Sequence, residues 1–279
     1  MDAVRSPLKF FTLVFALAVP FWVVGAFTGN LPGAPMDLPV SALMFPCPLV
    51  AAALLVRRED GPGGARRLLR SAFDVTGLRR RIWLAPTLLL MPAVMFASSW
   101  LTSPEPLPST SLPVVLLLFA VFFVSALGEE VGWTGYAAGP LQERRGALGA
   151  ALILGTAWGA WHVVPLVQAH RTPSWIAWWF LGTVAARVLI VWLANNTGAP
   201  VPSATVFHAT LNVTPSLLPG YATHDGIVAV SAMITTVAAA LVALAWGPRT
   251  LAGRRHRADA LTVRGRRSPG SEPRPRGSA

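Results

Sequence analysis

The stretch Leu112–Tyr136, LPVVLLLFAVFFVSALGEEVGWTGY, decides the fold. From Leu112 to Gly128 it carries no charge. A helix crosses the hydrocarbon core of a bilayer with roughly 20 consecutive apolar residues. The run therefore reads as a transmembrane helix, and it leads into two adjacent glutamates, Glu129 and Glu130, within the span. An ionisable side chain at the bilayer centre costs roughly 2.5–3.5 kcal/mol on insertion scales, so such groups face the bundle interior or water and mark function.

Outward from this segment, the rest of the chain has the same character. Of 279 residues, 53% are hydrophobic and 13% charged, and the mean hydropathy is +0.54. Soluble domains carry about 25% charged residues. The composition predicts an all-α, polytopic membrane bundle. Eight segments are long and apolar enough: about 8–28, 37–56, 82–101, 112–138, 147–168, 175–195, 199–218 and 227–247. The seventh is the least oily and is bracketed by Pro200, Pro202 and Pro215. The organisation expected is three helices over 1–110, a core over 111–247 that holds the chemistry, and a disordered basic tail over 248–279. The run Phe10–Phe27 is followed by no clear small-residue cleavage site, so it is expected to stay as a span.

The net charge of +11 sets 23 basic against 12 acidic residues. In a soluble domain that would suggest nucleic acid. Here the arginines sit in loops and the tail, so nucleic acid is not expected as a partner and membrane lipid is. With eight spans, 21 of the 23 basic residues fall on one side. Arg171 falls on the other and Arg187 lies within a span. Positive charge stays on the cytoplasmic side, which predicts a multi-pass cell-membrane protein with both termini cytoplasmic. The single cysteine, Cys47, excludes an intrachain disulfide and a cysteine metal cluster. No oligomeric state follows from these features.

Glu129 and Glu130 are the only acids within predicted spans, and His162 and His208 are the histidines there. Glu129 lies 17 residues before Gly146 and His162 lies 16 after it. In an antiparallel hairpin turning near Gly146, each would sit about 25 Å from the turn, and so level with the other. His208 lies roughly 12 Å, and Asn212 roughly 18 Å, past Pro200 along the next polar helix. At i and i+4, His208 and Asn212 share one face. A glutamate with a histidine can hold and deprotonate a water. A second histidine and an amide can donate to a tetrahedral oxyanion. Alternatively, Glu129, His162 and His208 bind a divalent metal such as zinc that activates the water. Both chemistries describe hydrolysis of an amide within or near the bilayer. There is no HExxH and no GxSxG.

EEVGWTG (129–135), WGAWH (158–162) and FHATLN (207–212) resemble the three motifs, EExxxR, FxxxH and HxxxN, of the CAAX prenyl endopeptidase and bacteriocin-processing (CPBP) family, also known as Abi proteins. The resemblance covers about 112–218. It implies an intramembrane endopeptidase on an eight-span fold, acting on a hydrophobic or lipidated peptide. Glu129 then matches the glutamate that activates water, His162 its partner, and His208 with Asn212 the pair that supports the oxyanion. Glu130 matches the second glutamate of the motif. Many members of the family are described as metalloproteases, and a glutamate mechanism without metal stays open. Two positions depart from the pattern: Thr134 stands where the motif has arginine, and Trp158 where it has phenylalanine. Arg187 is the residue expected to supply the missing charge. The alternatives are an immunity or scaffold protein that keeps the fold without catalysis, favoured by Thr134, and a proton-coupled transporter carrying protons on the glutamates.

Overall fold

The computed structural model describes residues 5–78, 81–102 and 110–253. Arg79, Arg80, Glu105 and the tail beyond Gly253 lie outside the described residues. Within them the secondary structure is helical, apart from one isolated bridge between Asn30 and Pro39. The helices are α1 (Pro7–Thr28), α2 (Cys47–Glu59), α3 (Pro62–Ser71), α4 (Leu84–Thr102), α5 (Leu112–Gly132), α6 (Gly139–Gln168), α7 (Pro173–Thr197), α8 (Pro200–Ser216) and α9 (Asp225–Trp246). Prolines open several of them, at Pro7, Pro62, Pro113, Pro173 and Pro200. A proline in the first turn has no N–H to leave unpaired there, and its fixed φ suits the helix.

Among the described residues, six helical stretches are long and apolar enough to cross a bilayer. The longest, Leu112–Gln168, runs 57 residues through α5, a wide π-helical turn at Trp133–Ala138, and α6. It supplies two of the expected spans, because the chain breaks at Gly146, with φ 72° and ψ 171°. Side chains 29 residues apart across that break meet at 2.7 Å, as described below; in a straight helix they would be about 43 Å apart. The break frees the first N–H groups of the returning arm. Ala147 and Leu148 donate to the carbonyls of Arg249 and Pro248, each at 2.9 Å, so the chain after α9 caps the arm.

The seventh expected segment is α8, with 17 residues. Its low oiliness has a physical reason: it packs on α4, α5 and α7, and most of its residues are buried in protein rather than turned to lipid. Two boundaries differ from expectation. The second span is α-helical only from Cys47; Val40–Met44 before it is a short 3-10 helix, since Pro39, Pro46 and Pro48 interrupt the ladder. The loop expected between spans two and three contains the amphipathic α3, which buries Gly64 and Leu68 and exposes Arg66, Arg67 and Arg70.

Contacts between connections define two ends of the bundle. At one end Arg5 pairs with Asp60 at 3.3 Å, Arg144 donates to the Arg5 carbonyl, Asn195 bonds Gln142 and the Thr250 carbonyl, and Gly146 abuts Arg249. At the other end Arg171 donates to the carbonyls of Met36 and Ala222, Gln168 donates to that of Trp22, and Thr172 donates to Asp225.

Candidate active site

Successive residues of a helix point about 100° apart. Glu129 and Glu130, near the end of α5, therefore serve different surroundings. Glu129, 3% exposed, lines a cavity of about 920 Å³ together with Trp158, His162, His208 and Asn212. The rest of the wall is largely apolar, with Phe45, Met91, Met95, Val121 and Trp179 among its residues. Glu130, fully buried, is not part of that wall. Its carboxylate turns back into the bundle.

Trp158 connects the cavity's polar groups. Its indole Nε1 donates to Glu129 Oε2 at 2.7 Å. Its backbone carbonyl accepts from His162 Nδ1 at 2.9 Å, one helical turn along α6. That bond places the proton of a neutral His162 on Nδ1 and leaves Nε2 with a lone pair. The Trp158 ring meets the His208 ring edge-on at 4.8 Å, and the Arg187 guanidinium lies over its face at 4.2 Å. His162 is also flanked by Trp161 and Trp179, at 4.7 and 5.4 Å between centroids. These rings fix the imidazole's orientation.

Behind this layer Glu130 holds three groups. Oε2 accepts from Arg187 Nη1 at 2.9 Å and from the Thr134 hydroxyl at 2.5 Å. Oε1 accepts from His208 Nδ1 at 3.0 Å. The threonine that replaces the motif arginine thus still bonds the second glutamate, and the positive charge comes from α7 instead. Arg187 is 0% exposed, so it does not snorkel to the interface. With Nδ1 engaged by Glu130, His208 presents Nε2, and Asn212 stands one turn further along α8 on the same cavity wall. The Asn212 side chain makes no hydrogen bond among the described residues.

Glu129, His162, His208 and Asn212 thus share one cavity; the count of residues puts Glu129 level with His162, whereas His208 and Asn212 join them from shallower counts along α8. Glu130 and Arg187 stand behind it. The sequence marks Trp158 only as a departure from the motif phenylalanine; that swap is the signal of its role, because only indole brings an N–H. The donor set does not fit the metal alternative. Among the described residues, no three His, Cys, Asp or Glu side chains are grouped so as to hold a metal ion. No step below passes through a metal.

Comparison with known proteins agrees with the motifs. The family model described as type II CAAX prenyl endopeptidase, Rce1-like, matches residues 110–214, which contain every residue of the site. The chain is 24% identical over 262 residues to CAAX prenyl protease 2 of Methanococcus maripaludis, covering 85% of this chain and 93% of that protein. Three motifs in order, carried on α5, α6 and α8 around one buried polar floor, agree with this similarity to type II CAAX prenyl endopeptidases.

Proposed function

We propose that the protein is an intramembrane endopeptidase that hydrolyses a peptide bond of a hydrophobic or lipidated peptide in the cell membrane. One observation carries the reading. A single residue, Trp158, holds both Glu129 and His162 from behind, through its indole and its carbonyl, at the floor of an apolar cavity. A structural polar network would have no reason to leave a carboxylate oxygen and an imidazole nitrogen turned toward a cavity.

Glu129 takes a proton from a water oriented by His162 Nε2. The resulting hydroxide attacks the scissile carbonyl carbon, and the carbonyl π pair moves onto oxygen. The Asn212 amide, and His208 Nε2–H when that ring is protonated, donate to the oxyanion. Collapse of the intermediate breaks the C–N bond as Glu129 returns its proton to the leaving nitrogen. Glu130 stays in place as the counter-ion of Arg187 and of protonated His208. The scaffold alternative rested on the lost motif arginine, and Arg187 now stands in that role.

The test is cleavage of a quenched fluorescent apolar peptide by protein in lipid vesicles. Glu129→Gln and His162→Ala should each abolish turnover while the protein stays folded. Undiminished cleavage by Glu129→Gln would remove the proposal.

A further inference from the structure

The cavity reaches one end of the bundle only. Its floor is the polar cluster on α5, α6 and α8. Above the floor it is bounded by connections at the end pinned by Arg171, including Leu31, Met36, Ala169, Tyr221 and Ala222. The α2–α3 connection, the Gly146 break and the segment after α9, which meet at the opposite end, contribute nothing to its wall.

The two ends differ sharply in charge. Arg57, Arg58, Arg66, Arg67, Arg70, Arg144, Arg145 and Arg249 belong to the end away from the cavity. Among the described residues, Arg171 is the only arginine or lysine at the cavity end. It is engaged with two carbonyls and stacks on Trp175 at 5.5 Å. Cytoplasmic loops hold the excess of arginine and lysine, and acidic residues contribute little to orientation. The charge therefore puts the cavity end outside the cytoplasm.

The cavity also has an open flank. No residue of α5 from Leu112 to Val121 is buried. Leu117, Val121 and Val124 line the cavity and are 63%, 56% and 58% exposed. The same side chains that face the cavity thus face the bilayer.

Taking the protease reading as its base, we infer that the site is loaded from the extracytoplasmic half of the bilayer by an apolar peptide segment held in the membrane. The segment passes the outer half of α5 and presents its scissile bond to Glu129 at mid-depth. The chemistry that recognises it is apolar side-chain surface, since the upper wall offers few polar groups. A substrate confined to the cytoplasmic face would meet the arginine end instead.

Two measurements decide this without requiring turnover. Thr223→Cys at the cavity end and Arg66→Cys on α3, each in a Cys47→Ala background, are treated in intact cells with a membrane-impermeant maleimide. The Thr223→Cys protein should label before permeabilisation and the Arg66→Cys protein only after; the reverse order overturns the inference. Next, a leucine-rich single-span peptide with a photocrosslinker in its extracytoplasmic half is added to Glu129→Gln protein in vesicles. It should capture the outer half of α5 or the Met91–Met95 face of α4. A crosslinker in the cytoplasmic half should capture neither, and capture only from that half again overturns the inference. Absence of cleavage by the wild type, with both patterns as expected, would count against the protease reading alone.

Discussion

Trp158 gives one donor to Glu129, one acceptor to His162 and one π face to Arg187. Phenylalanine, the motif residue, keeps the ring and loses the donor. A hydrogen bond to a charged group contributes about 1.5–3 kcal/mol, so Trp158→Phe should lower kcat by roughly 10- to 100-fold. Melting in detergent should change little, and KM should stay near its original value; an unchanged kcat would show that Glu129 holds its aim by packing alone. Arg187 is a different case. Truncating one partner of a buried ion pair leaves the other charge stranded, at a cost of about 3–5 kcal/mol. Arg187→Leu should therefore destabilise the protein by about that much, read from its thermal or denaturant unfolding, and should disable catalysis through His208. The pairing spans 57 residues. No local spacing reveals it; what the sequence offers is the oddity of a lone arginine inside a span.

At the scale of elements, the helices meet closely where side chains are absent. A Cβ on Gly155 would lie 2.9 Å from Val184 Cα and 3.1 Å from Arg187 Cβ. The α6–α7 crossing thus sets the position of the buried guanidinium. Gly155→Val should cost about 1–3 kcal/mol by overpacking and lower activity at the same time. Gly139→Ala, with nothing within 4 Å of the added carbon, should be neutral or gain up to about 1 kcal/mol of helix propensity. Parallel thermal melts of the two variants check the contrast. The long apolar helices were legible because lipid selects for oil along their whole length. α8 was legible mainly through its motif, since its neighbours shield it and its composition is free to be mixed. α3 escaped because a short arginine-rich helix lying along the bundle resembles a loop by composition. The level of Glu129 and His162 followed from counting residues to Gly146, whereas the indole that joins them did not, because direction around a helix is not fixed by depth.

For the molecule as a whole, Arg171 ties three connections at the cavity end: the segment after α1, the α6–α7 turn and the segment after α8. Removing it should loosen those segments without melting the spans. Arg171→Ala is expected to speed amide hydrogen exchange in 29–39 and 217–224 while α6, α7 and α8 keep their protection. Uniform exchange across the protein would instead mean that the residue supports the whole fold. The wide turn at Trp133–Ala138 bears on the molecule in another way. It follows the glutamates and contains Tyr136, whose hydroxyl donates to Glu59 at 2.8 Å near the arginine end. Such a turn holds one residue more than an ordinary helix needs. Deleting that residue would swing everything beyond it by about 100°, while Glu129 and Glu130 kept their bearings. The seam acts as a phase adjuster: a change in chain length there re-indexes the arginine-bearing face, and Trp158 and His162 with it, against the glutamates.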